Sequence, residues 1–238
     1  MRFENKTVII ASSGGSIGLA CCRMLQAEGA RVVFLAARPE ELAAQSGTYF
    51  PLAVRDFADE GQMRQAEQTV REAFGSWDVI VTCLWDEVPE GVWNEIPEEQ
   101  LRRPVTAILT GTRTVLQFFL PELVEKESGR VVILTSIVGR TNIPGESLAS
   151  AMAYAGLGGL IRNAARVYGK KGITVNGVAV GPVEGMYCEP AVEACAQGIL
   201  GRPVSAKDAA NAVMYLADDM AAWNTGEILD LNGGRFAL

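Results

Sequence analysis

The chain has 238 residues, of which 49% are hydrophobic and 21% charged, and its formal net charge is -7. This length predicts one domain with an ample core, and no apolar run reaches the roughly 18 to 20 residues of a membrane span. An acidic chain without a basic cluster argues against nucleic acid as a partner. The start shows no signal-peptide pattern, and five cysteines lack Cys-x-x-Cys spacing, so we expect a reduced, cytoplasmic protein. Without histidine, a Cys-His nucleophile is excluded and no metal site is predicted.

Apolar runs alternate with helical periodicity along the whole chain. Seven runs are predicted strands: Thr7-Ala11, Arg31-Ala36, Tyr49-Val54, Asp78-Leu84, Arg130-Thr135, Thr174-Val180 and Glu227-Leu231. Their continuous Val, Ile and Leu content predicts burial on both faces, as in a parallel sheet. Five segments are predicted helices: Ser16-Glu28, Asp59-Phe74, Glu98-Lys126, Ser150-Tyr168 and Ser205-Ala217. This alternation predicts an α/β fold, a doubly wound Rossmann-type parallel sheet of about seven strands in a single domain over residues 1–238.

Three strand-end segments carry a resemblance to a known family. Leu134-Thr135-Ser136-Ile137-Val138-Gly139 resembles the strand end that bears the catalytic serine of short-chain dehydrogenases/reductases. The run from Asn176 to Pro182 resembles that family's Val-Asn-x-Val-x-Pro-Gly segment, and Asp230-Leu231-Asn232-Gly233-Gly234 resembles its closing Gly-Gly. The resemblance covers nearly the whole chain and implies NAD(P)-dependent oxidation or reduction.

The helix after Ser136 departs from the family's Tyr-x-x-x-Lys pair. Ser150 stands at the tyrosine position and Tyr154 at the lysine position, and no lysine lies between residues 126 and 170. In the family the tyrosine transfers the proton, while the lysine one helical turn away lowers the tyrosine pKa from about 10. Ile108 takes the place of the asparagine that holds the proton-relay water. Ser136 and Tyr154 are thus the remaining candidate catalytic residues.

The turn after the first strand is similar to the family's phosphate-binding Thr-Gly-x-x-x-Gly-Ile-Gly, with substitutions. Ser12 and Ser16 replace the first two glycines, Gly18 keeps the third, and Gly14 and Gly15 offer a relocated turn. A serine Cβ at the middle position should weaken binding of the pyrophosphate. A tight strand-to-helix connection with an empty or weak nucleotide site explains the same residues. The candidate cofactor residues are Ser12, Gly14, Gly15, Ser16, Ile17, Gly18, Arg38 and Asp56.

Three positions bear on the kind of cofactor. Arg38, after the second strand, resembles the pattern that prefers NADP over NAD, although a solvent-exposed arginine explains it equally well. Asp56 resembles the family's adenine-contacting aspartate. Trp85 stands where the family has a glycine, in the segment Thr82-Cys83-Leu84-Trp85. It is interpreted either as a plug in the cofactor pocket, which we favour, or as a loop side chain that points elsewhere.

The resemblance also predicts assembly, because the family pairs the helices that correspond to residues 98–126 and 150–168 across a subunit contact. The second helix is small and apolar on every side, which predicts close packing on the sheet and on a second subunit. We therefore expect a dimer or tetramer, homomeric when the chain is expressed alone and mixed with an active dehydrogenase/reductase in the cell. In the mixed assembly this chain is the non-catalytic subunit, with NADP or NAD bound weakly or not at all. The alternative is an atypical oxidoreductase that uses Ser136 and Tyr154.

Overall fold

The computed structural model describes residues 1–38, 49–86, 94–141, 147–183, 192–193, 196 and 198–235. Its strands are β1 Thr7–Ser12, β2 Arg31–Ala36, β3 Phe50–Ala53, β4 Val79–Cys83, β5 Gly129–Ser136, β6 Ile173–Val180 and β7 Ile228–Leu231. They form one parallel sheet in the order β3-β2-β1-β4-β5-β6-β7. The predicted seven-stranded, doubly wound α/β fold is confirmed.

The helices flank the sheet on both faces. They are α1 Ser16–Ala27, α2 Glu60–Phe74, α3 Glu98–Val105, α4 Gly111–Glu125, α5 Leu148–Tyr168 and α6 Ala206–Ala217. One apolar core lies between the sheet and α2, α4 and α5, and a second lies between the sheet and α1 and α6. Cys21 and Cys22 of α1 are fully buried in the second core, as their apolar neighbourhood in the sequence suggests. In the described part of the chain, no helix is long and apolar enough to cross a membrane.

Strand burial follows position in the sheet. The inner strands β1, β4 and β6 are buried at every residue, which matches the expectation of burial on both faces. That expectation is wrong for β3 and β7, whose residues are half-buried or exposed. These two strands form the edges of the sheet, so one side of each has no neighbouring strand to cover it.

The long predicted helix over residues 98–126 is interrupted. A π-helical segment, Thr106–Thr110, separates α3 from α4, and the buried Pro104 precedes it. Proline has no N–H to donate and its ring displaces the carbonyl four residues earlier, so the regular hydrogen-bond ladder is broken here. Ile108 lies inside this π-helical segment and is fully buried.

Side-chain caps set three helix starts. Asp59 accepts hydrogen bonds from the second and third residues of α2, and Ser205 forms the predicted capping box with Asp208 at α6. At α5 the cap is Ser147, whose hydroxyl accepts from the Ser150 N–H at 3.3 Å. The helix therefore starts two residues before the predicted Ser150, which lies inside its first turn.

Candidate cofactor and active site

The turn between β1 and α1 is shaped by two glycines. Gly14 has φ 129° and Gly15 has φ 90°, conformations that residues with a Cβ rarely adopt. The turn therefore depends on these two glycines, and its relocation relative to the family pattern stays a prediction. Gly15 precedes α1 without a capping side chain, while Ser16, the first residue of the helix, is exposed.

Ser12 fills the space beneath this turn. It is fully buried, and its hydroxyl accepts a hydrogen bond from the Gly14 N–H at 3.3 Å. A Cβ placed on Gly18 would lie 2.5 Å from the Ser12 Oγ, so the retained glycine packs directly on the serine. Burial raises the pKa of the neighbouring Cys83 thiol to about 12, against the opposite effect of hydrogen bonds from the Ser12 side chain and the Gly18 backbone.

Trp85 lies on the outer side of the same turn. Its indole Nε1 donates to the Gly14 carbonyl at 2.9 Å, and its backbone N–H donates to the Ser13 Oγ at 2.8 Å. The Ser13 hydroxyl in turn donates to the Trp85 carbonyl at 2.6 Å. The side chain is half-buried, so the loop interpretation, in which it points elsewhere, is wrong. The role of Ser13 was missed in the sequence, because a partner 72 residues away leaves no local signal.

A small pocket lies beneath Trp85 at the carboxyl ends of the inner strands. Its volume is about 30 Å³, room for about two water molecules. It is lined by Ile17, Cys83, Leu84, Trp85, Leu134, Thr135, Tyr154 and Val180. The described lining residues come from the start of α1, the ends of β4, β5 and β6, and α5 with the predicted catalytic Tyr154, and none of them is charged.

The two candidate catalytic residues come from adjacent elements. Ser136, the last residue of β5, is buried, and its hydroxyl accepts from the Val138 N–H at 3.2 Å. Tyr154 of α5 is 8% exposed, and its backbone carbonyl accepts from the Thr135 hydroxyl at 3.3 Å. The short 3₁₀ turn Ile137–Gly139 packs on α5 so closely that a Cβ on Gly139 would lie 2.6 Å from the Ala155 nitrogen.

The two positions that the sequence resemblance assigns to the family's tyrosine and asparagine are buried. Ser150 is 3% exposed in the first turn of α5, and Ile108 is fully buried in the π-helical segment. A serine hydroxyl is a far weaker acid than a phenol, and an isoleucine side chain has no polar atom with which to hold a water molecule.

Neither Arg140 nor Arg162 is among the described residues that line the pocket. Arg140 Nε lies 3.2 Å from Asp230 Oδ1, and both side chains are mostly buried. Burial raises the pKa of Asp230, and Arg140 acts in the opposite direction. Arg162 is exposed on α5 and does not line the pocket. The guanidinium of Arg140 is therefore paired with a carboxylate of β7.

The two remaining cofactor candidates lie on the outer part of the sheet edge. Arg38 is exposed beyond the end of β2. Asp56 is exposed after β3, where its Oδ1 accepts from the Ala58 N–H at 2.8 Å and so stabilises the approach to α2. The described ranges contain no cluster of three or more Cys, Asp or Glu side chains that could hold a metal ion.

The exposed face of α5 differs along its length. Met152, Ala155 and Gly159 form a stripe of exposed apolar residues in its first half, and a Cβ on Gly159 would meet no atom within 4 Å. Gly158 is buried, and its nearest neighbours are Arg162 and Ile228. The expectation that the helix is apolar on every side is wrong for its second half, where Arg162, Asn163 and Arg166 are exposed.

Comparisons with known proteins cover the whole chain. The family model described as Enoyl-(Acyl carrier protein) reductase matches residues 11–235. The chain is 30% identical to 3-oxoacyl-[acyl-carrier-protein] reductase FabG of Escherichia coli (strain K12), with 99% of each chain covered. It is also 30% identical to cis-4-hydroxycyclohexanecarboxylate dehydrogenase of Sinomonas cyclohexanicum, with 99% of this chain and 98% of that relative covered.

Solved structures agree with these relatives. The crystal structure of levodione reductase superposes with a TM-score of 0.92 at 25% identity, covering 98% of both chains. A short-chain dehydrogenase/reductase from Serratia marcescens BCRC 10948 gives a TM-score of 0.87 at 25% identity, covering 100% of both. The chain therefore belongs to the short-chain dehydrogenase/reductase family of oxidoreductases.

Proposed function

We propose that this protein is a non-catalytic subunit that assembles with an active NAD(P)-dependent dehydrogenase/reductase. The observation that carries the proposal is the hydrogen bond from the Trp85 indole to the Gly14 carbonyl, through which the protein occupies its own phosphate turn. The relatives named as acyl-carrier-protein reductases support an acyl thioester as the substrate class of the active partner.

The residues of the turn do not fit a dinucleotide pyrophosphate. An anion at this turn needs free backbone N–H groups and close approach to the helix start. The Gly14 N–H is bonded to Ser12, and the Trp85 indole lies on the Gly14 carbonyl. We infer that NADP or NAD binds weakly or not at all, whichever of the two Arg38 would favour.

The catalytic pocket supports the same inference. A proton donor near neutral pH needs a group whose pKa is brought toward that range, and a neighbouring cation achieves this for a tyrosine. Tyr154 lines a pocket whose described lining residues carry no charge, and Arg140 is paired with Asp230. We therefore expect no hydride transfer by the isolated protein with simple ketone, alcohol or 3-oxoacyl substrates.

What the chain retains is a surface for assembly. The exposed Met152, Ala155 and Gly159 lie on one face of α5, and α5 packs closely on the π-helical segment, where a Cβ on Gly156 would lie 2.9 Å from Leu109. Small exposed side chains allow two helices to approach closely. We infer a dimer or tetramer through the helices of residues 98–126 and 150–168.

Light scattering of matched variants tests the assembly. Gly159→Arg places a large charge on the exposed apolar stripe, and we expect it to convert the oligomer to a monomer. Gly169→Arg is the control, because Gly169 is also exposed and also has open space around a Cβ, but it lies beyond the end of α5. A wild-type monomer at micromolar concentration would contradict the proposal.

Affinity purification from the native host tests the partner. We expect the tagged wild-type protein to co-purify with a second short-chain dehydrogenase/reductase that has an intact Tyr-x-x-x-Lys pair, and Gly159→Arg to lose it. Recovery of the tagged chain alone, with Gly169→Arg behaving in the same way as wild type, would leave only a homo-oligomer and contradict the mixed assembly.

A second candidate function is an atypical oxidoreductase, favoured by the position of Tyr154 in a pocket with Thr135, which directly precedes the buried Ser136. This function requires turnover by the isolated protein that disappears in Tyr154→Phe. Under the main proposal turnover is absent, and the double variant Ser150→Tyr with Tyr154→Lys does not create it, because Ile108 and the filled phosphate turn remain.

A further inference from the structure

The segment that bears Trp85 is held from a second side by helix α3. The guanidinium of Arg103 donates two hydrogen bonds to Asp86, from Nε to Oδ2 at 3.1 Å and from Nη2 to Oδ1 at 3.0 Å. The Asp86 side chain is 17% exposed, whereas that of Arg103 is 71% exposed. A two-pronged arginine–carboxylate pair fixes direction as well as distance, so Asp86 has a defined position relative to α3.

Asp86 directly follows Trp85, so the two anchors act on adjacent residues. On one side, Trp85 is bonded to Ser13 and Gly14 of the phosphate turn. On the other, Asp86 is bonded to α3, which packs on α5 and thus belongs to the helices of the inferred subunit contact. One peptide bond, between Trp85 and Asp86, therefore links the contact with the turn to the contact with α3.

We propose that the Asp86–Arg103 ion pair is a latch that holds Trp85 closed over the phosphate turn. The latch rests on the proposed closure of the nucleotide site, and it makes that closure depend on an ion pair that is open to solvent at the arginine. Breaking the pair removes the arginine anchor of Asp86 on α3, and the indole then leaves Gly14 more often. Because exposed ion pairs are screened by salt, high ionic strength loosens the latch in the same direction.

Hydrogen exchange of the indole N–H groups measures the latch directly by NMR. Trp85→Phe identifies the Trp85 signal by its disappearance. Two other tryptophans calibrate the scale: Trp77 is fully buried with its Nε1 donating to the Phe119 carbonyl at 2.8 Å, and Trp223 is 99% exposed. We expect the wild-type Trp85 indole to exchange more slowly than that of Trp223.

Arg103→Met removes the α3 side of the latch. We expect exchange at Trp85 to rise about fivefold, the size of effect that a favourable exposed ion pair gives, with no change at Trp77. Asp86→Asn should act in the same direction. Arg102→Met is the matched control, since Arg102 is the adjacent arginine of α3 and pairs with Glu98 instead. Raising NaCl from 0.1 to about 1 M should accelerate exchange in wild type but not in Arg103→Met.

Equal exchange at Trp85 in Arg103→Met and Arg102→Met would overturn the latch. Calorimetry with NADPH on the same samples keeps the two proposals apart. Tight binding to wild type would contradict the proposed function, while faster exchange in Arg103→Met would still support the latch.

Discussion

The phosphate turn after β1 and the serine–tyrosine pocket after β5 lie side by side on one edge of the sheet, and they depart from the family pattern in different ways. In the turn, the protein's own groups occupy the polar atoms, as Ser12 and Trp85 do at Gly14. Tyr154 lines the pocket, Ser136 is buried at the end of β5, and none of the described lining residues is charged. Under the proposed function the first site is closed by filling and the second lacks a cation, so different substitutions probe the two sites.

The largest expected effect concerns the packing of the Ile137–Gly139 turn on α5. Gly139→Ala would place a Cβ 2.6 Å from backbone atoms of Tyr154 and Ala155, which cannot move without shifting α5. Overpacking of this kind costs typically 1–3 kcal/mol, and we expect about 3 kcal/mol here in urea unfolding because the contact is with backbone.

Gly169→Ala is the control for that substitution. Its Cβ would meet no atom within 4 Å, and Gly169 lies beyond the end of α5, outside the inferred subunit contact. We expect its free energy of unfolding to change by less than about 1 kcal/mol. Equal changes in the free energy of unfolding for both variants would contradict the close packing of the Ile137–Gly139 turn on α5.

A smaller effect tests the filling of the phosphate turn. Gly18→Ala would bring a Cβ to 2.5 Å from the Ser12 Oγ, and we expect a loss of about 2 kcal/mol. In a Ser12→Gly background the same substitution should lose about 1 kcal/mol less, since the nearest remaining neighbour is the Phe34 ring at 3.4 Å. Additive losses in the double-mutant cycle would show that Ser12 does not fill the turn.

The smallest effect is pH-dependent and concerns the ion pair between Arg140 and Asp230. Burial raises the pKa of Asp230 and Arg140 lowers it, so Arg140→Met should raise it further. A higher pKa in the folded protein means that ionisation of Asp230 costs more there than in the unfolded chain, where its pKa is about 4. The variant therefore loses stability relative to wild type as the pH rises above about 4. We expect a deficit of about 1 kcal/mol at pH 7 that shrinks toward pH 4. A deficit that is independent of pH would mean that Arg140 acts through packing alone.

The fold could be predicted from the sequence because its signals are local and repeated. Inner strands such as Val79–Cys83 show continuous apolar residues, and Ser205 with Asp208 shows a capping box within four positions. The prediction of one continuous helix over residues 98–126 was wrong near Pro104, because the periodicity on either side of this proline is strong.

The site was predictable only as a set of positions. The resemblance located Ser12, Ser136 and Tyr154 at the carboxyl edge, and the structure brings Tyr154 and the turn to one pocket. The bonds that define the site, such as Trp85 to Gly14 and Arg140 to Asp230, join residues some 70 to 90 positions apart, and nothing in either local sequence specifies the partner. Single-sequence patterns contain periodicity and capping, but not the pairing of distant side chains.

Titration calorimetry of the wild-type protein with NADPH and NADH tests the central claim most directly, which is that the chain closes its own nucleotide site. The account predicts no measurable heat of binding, or a dissociation constant far weaker than micromolar, for either nucleotide. The variant with Ser12→Gly, Ser16→Gly and Trp85→Gly should bind more tightly than wild type, because it frees the Gly14 groups and the approach to α1. A low-micromolar dissociation constant for the wild-type protein would contradict the account.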